Sequence, residues 1–130
     1  MYTITKRMEI SAAHKLVLPY QSKCTNLHGH NWIIEVEICA PELNKAGMVI
    51  DFGDIKGIVN HLDHTTLNDF FHSGTTPGKI IKENPTAENI ARWIADNINQ
   101  MLNNTNRDNL AKVSKVIIQE SEGNKVCYIP

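Results

Sequence analysis

The most constraining feature of this chain is the run 24–30, which reads Cys-Thr-Asn-Leu-His-Gly-His. It places one thiol and two imidazoles close together and leads directly into an alternating apolar segment, 32–40. Such alternation predicts a β-strand at residues 31–40, and in a strand residues two apart project from the same face. His28 and His30 therefore share a face, whereas Gly29 between them leaves the other face bare for close approach of backbone or ligand. Two parallel imidazoles on a stiff strand make half of a metal site.

The best candidate for a third ligand is His14, which follows a first predicted strand at residues 2–13. The small residues 11–13 before it leave room for close approach. If the two strands pair as a hairpin, His14 comes beside the other imidazoles; taken alone, it would be interpreted as a polar cap on the strand. The connection 15–27, which carries Cys24, is long for a hairpin, and long connections in compact domains are often functional.

This ligand set allows two kinds of metal site. Three neutral histidines can hold Zn²⁺ with the fourth position open, as in catalytic zinc sites. Zinc would then act as a Lewis acid on a carbonyl or hydroxyl oxygen, with a nearby thiolate as base or nucleophile. The alternative is a closed structural site with Cys24 as the fourth ligand. The spacing alone permits both.

The rest of the chain is interpreted as two helices and two strands, at residues 51–63, 85–102, 112–120 and 126–129. Asp51 and Thr86 are predicted to cap the two helices. The segment 70–84 between the helices contains glycine and proline and is predicted to be a mobile loop. The order ββααββ predicts an α+β fold, with two helices inserted in the middle of a four-stranded antiparallel sheet.

Composition excludes several classes of protein. The chain has 130 residues, so a single domain, 1–130, is expected; 42% of its residues are hydrophobic and 21% charged, as in ordinary soluble proteins. The formal net charge is −1 and no basic cluster is present, so no nucleic-acid partner is expected. No apolar run approaches the roughly 20 residues of a membrane helix. Without a signal core or a disulfide framework, a cytoplasmic location is expected.

Other polar residues carry weaker signals. Asp63 beside His64 suggests a base with its orienting carboxylate, although sequence neighbours need not bond and a histidine at a helix end also interacts with the helix dipole. Glu120 stands where the apolar run of the third strand stops. Ordinary roles are assigned to the remaining candidates: surface positions for His61 and His72, a half-buried strand position for Cys39 and a packing position for Cys127.

Six segments, in order, resemble the motifs of the 6-pyruvoyltetrahydropterin synthase superfamily. They are Ser11-Ala12-Ala13-His14, Cys24-x-x-x-His28-Gly29-His30, Val49-Ile50-Asp51-Phe52, Leu62-Asp63-His64-x-x-Leu67-Asn68, Asn84-Pro85-Thr86-Ala87-Glu88-Asn89 and Gln119-Glu120-Ser121. The three-residue gap between Cys24 and His28 resembles the bacterial 6-carboxytetrahydropterin synthases of queuosine biosynthesis, whereas pyruvoyl-forming members typically have five residues there. Ser121 replaces a threonine that many relatives have, and the segment 70–84 looks longer than in compact bacterial relatives.

The resemblance implies a tunnelling fold, with three sheets joined in a trimeric barrel and two trimers stacked as a homohexamer. It implies Zn²⁺ held by three histidines, His14, His28 and His30. Cys24 would be the proton acceptor, and the active sites would lie between subunits.

The resemblance also implies roles around the substrate. Asp63 and His64 would form a proton relay that reaches Cys24 across an interface. Glu120 would anchor the pterin, whose 2-amino and N3–H donors suit a carboxylate, and is often assigned to the relay. Thr86 and Glu88 match a segment near the pterin pocket, a role that the sequence does not separate from helix capping.

The implied substrate is 7,8-dihydroneopterin triphosphate, converted to 6-carboxytetrahydropterin, acetaldehyde and triphosphate without a redox cofactor. Lys15 and Lys23 are candidates to contact the triphosphate. Two alternatives stay open: a pyruvoyl-forming synthase or other pterin side-chain lyase on the same site, and a non-catalytic homologue that binds zinc or pterin.

Overall fold

The computed structural model describes residues 1–71, 83–105 and 108–130. In chain order its elements are β1 (Tyr2–His14), β2 (His28–Ala40), α1 (Phe52–Asn60), β3 (Thr65–Thr66), α2 (Asn68–Phe71), α3 (Ala87–Thr105), β4 (Lys112–Ser121) and β5 (Asn124–Tyr128), with a 3₁₀ turn at Lys23–Thr25. The predicted order ββααββ is confirmed, with β3 and α2 as short additions. Most of the loop predicted at 70–84, including His72, lies outside the described residues.

The strands form one five-stranded sheet in the order β3-β1-β2-β4-β5. Neighbouring strands pair antiparallel except for β3, which runs parallel to β1 and pairs Thr65 with Ala12. The prediction of four strands, all antiparallel, is therefore wrong on this point. A strand of two residues is too short to show the period-two pattern by which strands are recognised in a sequence.

The β1–β2 hairpin is paired without interruption from Tyr2–Ala40 to His14–His28. Both strands extend beyond their predicted ends, since β1 includes His14 and β2 begins at His28 rather than at residue 31. The three histidines therefore stand on paired strands and not in the connection. This pairing fixes their spacing.

The core lies between one face of the sheet and the helices. The alternating β2 residues on that face are almost completely buried: Trp32, Ile34, Val36 and Ile38. The apolar stripe of α3 is buried as well: Ile90, Ile94, Ile98 and Leu102. Each such side chain contributes about 1.5–3 kcal/mol through removal of apolar surface from water. The predicted core faces of β2 and α3 are thus confirmed.

The helix caps agree with the sequence, whereas the ends of both long helices do not, since α1 stops at Asn60, before the predicted end at 63. The Asp51 carboxylate accepts a hydrogen bond from the backbone N–H of Gly53 at 2.7 Å, and the Thr86 hydroxyl accepts one from Asn89 at 3.3 Å. Helix α3 continues to Thr105, beyond the predicted end at 102, because the apolar stripe marks only the buried part of the helix.

One of the two cysteine assignments on the outer face of the sheet is wrong. Cys39 is half-buried as expected, whereas Cys127, predicted as a packing residue, is exposed. Cys127 lies on the edge strand β5 and pairs with Ile117, so its side chain points away from the helices. No helix in the described residues is long and apolar enough to cross a membrane.

Candidate active site

The hairpin register brings the three histidines together. His14 pairs directly with His28, and Ala12 pairs with His30, so His14 lies diagonally across from His30. Directly paired residues lie close enough for their side chains to touch. The ring centroids of His14 lie 4.6 Å from those of His28 and 5.3 Å from those of His30. The indole of Trp32 packs edge-on against two of these rings, His14 and His30.

Backbone carbonyls set the tautomers of two of the rings. Nδ1 of His14 lies 2.8 Å from the carbonyl oxygen of Pro85, and Nδ1 of His28 lies 2.7 Å from that of Asn26. A carbonyl oxygen can only accept, so each Nδ1 carries the proton and donates it. Each Nε2 is then left with a free lone pair, the arrangement found in histidines that bind metal.

Two of the Nε2 atoms are buried without a partner. Among the described residues, Nε2 of His14 and Nε2 of His30 have no hydrogen-bond partner. His14 is only 1% exposed, and burial lowers its pKa, which outweighs the opposing effect of the Pro85 carbonyl and keeps the ring neutral near pH 7. Buried polar atoms without partners are costly unless a ligand satisfies them. The space between the histidine rings therefore fits a metal ion.

Glu120 joins this cluster from the end of β4. Its Oε1 lies 3.0 Å from Nε2 of His30 and 3.7 Å from Nε2 of His14. The shorter contact has the distance of an ion pair but lacks the alignment of a hydrogen bond, so Nε2 of His30 still lacks a partner. One ligand atom from each of the four residues, Glu120, His14, His28 and His30, lies within 4.8 Å of the others.

This donor set is chemically suited to zinc. Imidazole nitrogen and carboxylate oxygen are both zinc ligands, bound at about 2 Å. The sequence predicted Glu120 as a pterin anchor and gave no sign of its place beside the histidines. This position follows from the antiparallel register of β2 and β4, in which Ile33 pairs with Gln119. Glu120, the next residue of β4, therefore lies beside the end of β2 that carries His28 and His30.

Cys24 does not belong to this group within the part of the chain that the structure describes. It is half-buried on the 3₁₀ turn Lys23–Thr25, where its carbonyl accepts a hydrogen bond from the backbone N–H of Leu16 at 2.8 Å. The geometry therefore favours the site without a thiol ligand over the closed Cys-His₃ alternative. Lys15 is exposed on the same connection, as is Lys23.

The side chains of Asp63 and His64 lie at ion-pair distance from one another, which their adjacency alone left open. Nδ1 of His64 lies 3.0 Å from Oδ2 of Asp63. The backbone N–H of Ser11 donates to Asp63 Oδ1 at 2.8 Å, and the N–H of His64 donates back to the Ser11 carbonyl at 2.7 Å. The Ser11 hydrogen bond, followed by the contact with His64, lowers the pKa of Asp63. The carboxylate is thus held charged beside the imidazole.

His64 borders the sheet face opposite to the histidine cluster. It lines a cleft together with Ser11 and Asn31, whose side chains alternate with the buried ones along β1 and β2. The imidazole of His64 is 81% exposed. It borders an open cleft of about 450 Å³ lined by Ser11, Ala12, Ala13, Gly29, His30, Asn31, His64 and Thr65. A side chain added at Gly29 would only reach ordinary contact with the Ala12 carbonyl, at 3.7 Å, so packing within this chain does not require glycine there.

A second cleft brings together two residues predicted near the pterin. Glu88, at the start of α3, and Glu120 border a space of about 330 Å³ that is closed by the β4–β5 turn. Its remaining lining residues are Ala87, Gly123, Asn124, Lys125 and Val126. Thr86 is not among them, and its hydroxyl caps α3. His61 is exposed, as predicted.

Comparison with known proteins agrees with this fold. The family model described as 6-pyruvoyl tetrahydropterin synthase matches residues 3–130. A 6-carboxy-5,6,7,8-tetrahydropterin synthase of Rickettsia felis is 38% identical over 112 residues, which cover 75% of this chain and 80% of the relative. The Bacillus subtilis protein of the same name is 28% identical over 130 residues, covering 99% of this chain and 86% of the relative.

Among solved structures, the Caenorhabditis elegans 6-pyruvoyl tetrahydropterin synthase aligns with a TM-score of 0.72 at 24% identity, covering 99% of this chain and 95% of that one. This likeness concerns the fold, and it confirms the tunnelling-fold topology expected from the sequence motifs. The family match over nearly the whole length, together with the relatives above 30% identity, settles the classification. The chain belongs to the 6-pyruvoyl tetrahydropterin synthase family.

Proposed function

We propose that this protein is a cytoplasmic, zinc-dependent 6-carboxy-5,6,7,8-tetrahydropterin synthase of queuosine biosynthesis. It converts 7,8-dihydroneopterin triphosphate and one water molecule to 6-carboxytetrahydropterin, acetaldehyde and triphosphate, and the ring gains the electrons that the side chain loses. The observation that carries the proposal is the cluster of three histidines, two of whose buried Nε2 atoms lack a hydrogen-bond partner among the residues that the structure describes. The relatives of that name and the three-residue gap between Cys24 and His28 support the carboxy-forming branch.

His14, His28 and His30 would hold the zinc ion. When bound, zinc supplies a Lewis acid that stabilises negative charge on the side-chain oxygens of the substrate. The chain's own contribution is to orient the ligands. The carbonyl of Pro85 fixes the ring orientation and the Nδ1–H tautomer of His14, and that of Asn26 does the same for His28.

Proton transfer is assigned to Cys24, Asp63 and His64. Cys24 takes protons from the side-chain carbons of the substrate as the thiolate and returns them as the thiol. His64 exchanges protons with Cys24 and so restores the thiolate. Asp63 orients the His64 imidazole and stabilises its charged form, as the 3.0 Å contact between them allows. Since His64 is exposed on the opposite sheet face, it would act on the Cys24 of a neighbouring subunit.

The pterin would bind in the cleft between Glu88 and Glu120. A carboxylate accepts two hydrogen bonds side by side, which matches the 2-amino and N3–H donors of the pterin edge. Glu120 also lies beside the histidines, so the same residue borders both the pterin cleft and the metal site. Thr86 would contribute by starting α3 at this point.

The proposed assembly is a homohexamer, a dimer of trimeric barrels. An open sheet presents unpaired edges, and barrel closure between subunits removes them. In this chain the edges are β3 and β5. Shared sites between subunits would also bring His64 to the thiol that it serves.

A product assay tests the proposal. Zinc-loaded protein is incubated with 7,8-dihydroneopterin triphosphate, volatile aldehyde is trapped, and the pterin is identified by mass. Acetaldehyde with 6-carboxytetrahydropterin is expected. A pyruvoyl pterin without aldehyde would move the protein to the pyruvoyl-forming branch. No conversion at full zinc occupancy would favour a non-catalytic pterin- or zinc-binding role.

A further inference from the structure

The connection that carries Cys24 is held at its start by a side-chain amide. Oδ1 of Asn68 accepts a hydrogen bond from the backbone N–H of Lys15 at 3.0 Å, and Nδ2 of Asn68 donates to the Lys15 carbonyl at 2.8 Å. Asn68 is the first residue of α2 and is buried. Its amide therefore pairs with both backbone groups of one residue, as a neighbouring strand would.

A second asparagine repeats this pairing two residues further on. Asn84 accepts from the N–H of Val17 at 2.8 Å and donates to the Val17 carbonyl at 2.9 Å. The carbonyl of Asn84 in turn accepts a hydrogen bond from Nδ2 of Asn89 at 2.8 Å, which joins it to the first turn of α3. The two asparagines come from different segments and hold alternate residues of the same short stretch.

Leu16, which lies between Lys15 and Val17, binds the backbone of Cys24. The N–H of Leu16 donates to the carbonyl of Cys24 at 2.8 Å. The N–H of Cys24 itself donates to the hydroxyl of Ser22 at 3.2 Å. The backbone of Cys24 is thus bound to a residue whose neighbours on both sides are fixed by asparagine side chains.

These hydrogen bonds matter because few apolar contacts hold this connection. Three of its large side chains point outward: Val17 is 77% exposed, Tyr20 65% and Leu27 60%, whereas Leu16 and Leu18 are half-buried. A segment with little buried apolar surface opens at low free-energy cost. Polar contacts of the kind made by Asn68 and Asn84 therefore carry much of its placement.

The same network reaches the metal ligands. Asn84 precedes Pro85, whose carbonyl accepts the Nδ1 proton of His14. Asn68 follows Leu67, whose N–H donates to the carbonyl of Ala13 at 2.8 Å. Both asparagines are therefore attached to segments that already contact the end of β1, where the histidine cluster lies.

We infer that Asn68 and Asn84 are positioning residues that fix the Cys24 thiol relative to the metal centre. This inference rests on the proposed function, in which Cys24 transfers protons at carbons of the bound substrate. Misplacement of a reacting group by about 1 Å costs up to about 100-fold in rate. Substrate binding is assigned to other residues, so the loss should appear in kcat and not in KM.

The test uses Asn68→Ala, Asn84→Ala and the double variant, with Asn109→Ala as the matched control. Asn109 is also buried and also donates its amide to a distant backbone carbonyl, that of Val49 at 2.9 Å, but it makes no contact with the 15–27 connection in the described residues. For each protein, zinc content, kcat, KM and the rate of iodoacetamide modification at each cysteine are measured. Exposed Cys127 serves as the internal reference for the modification rate.

The expected result for the double variant is a loss in kcat of about 10- to 100-fold, with KM changed by less than about threefold and zinc content retained. Release of the connection should also speed modification of half-buried Cys24 at least about fivefold relative to Cys127. An unchanged rate at Cys24, or an equal kcat loss in Asn109→Ala, would overturn the inference. If the wild-type protein converts no pterin, the proposed function fails separately, and the modification rates still decide whether the asparagines place the thiol.

Discussion

Nε2 of His30 lies 3.0 Å from Oε1 of Glu120, and among the described residues this nitrogen has no hydrogen-bond partner. Glu120 also borders the cleft assigned to the pterin. One carboxylate therefore lies within reach of both the metal site and the substrate, and its replacement should affect both.

Glu120→Gln keeps the size of the side chain and removes its charge. A neutral amide is a poorer partner for a metal ion and for the two pterin donors, so we expect the zinc Kd and the KM each to rise by about 10- to 100-fold. Chelator competition measures the first and steady-state kinetics the second. A rise in KM with an unchanged zinc Kd would restrict Glu120 to the pterin, and no change in either would remove it from the site.

Zinc should stabilise the folded protein, because the unpartnered Nε2 atoms gain a ligand. At a free concentration 100 times its Kd, a ligand that binds only the folded state stabilises it by about 2.7 kcal/mol. Thermal unfolding with and without zinc should therefore show a Tm rise of several degrees. His30→Ala should lose that rise, whereas His61→Ala, which changes an exposed histidine outside the cluster, should keep it.

Cys24→Ala should abolish turnover without releasing the metal. The sulfur is not among the clustered ligand atoms, so zinc content should equal that of the wild-type protein while kcat falls by at least about 100-fold. Elemental analysis and the product assay measure the two effects. Loss of zinc together with loss of fold would instead favour the closed structural site, in which Cys24 is the fourth zinc ligand. Cys127→Ala is the control for general effects of removing a thiol.

Asp63→Asn should leave the fold and zinc content intact and lower kcat by about 10²- to 10⁴-fold, since the His64 imidazolium loses its charged partner. The amide oxygen can still accept the hydrogen bond from Ser11, so the local backbone should persist. Single-turnover kinetics with measured zinc occupancy would check this. A variant with full activity would exclude the pair from the relay.

The same carboxylate should affect stability at acid pH. The folded-state pKa of Asp63 is lowered, chiefly by the Ser11 N–H, so its stabilising effect is complete above the ordinary aspartate pKa of about 3.9 and is lost as the pH falls through the folded-state value. Between pH 5 and 2, denaturant unfolding should show wild-type stability falling more steeply than that of Asp63→Asn. Parallel curves would contradict this assignment.

The sequence was sufficient where local pattern decides structure. Alternation placed His28 and His30 on one face, and a hairpin was enough to bring His14 to them. Glu120 depended on the register between β2 and β4, strands separated by both long helices, which no local pattern encodes. Cys127 was misassigned because its apolar neighbours suggested a buried strand, whereas β5 is an edge.

Strand β1 contributes to both sites. Through the backbone N–H and carbonyl of Ser11 it holds Asp63 and His64, and through the side chain of His14 it contributes to the histidine cluster. Under the proposed assembly these groups belong to different catalytic centres, so a shift of β1 would disturb one centre's ligands and its neighbour's proton donor at the same time. A single inserted residue between Ser11 and His14 would reverse the face of every side chain beyond it. The number of residues between Ser11 and His14 is therefore constrained by both sites. An insertion or deletion there could not be accommodated by one site without a matching change in the other.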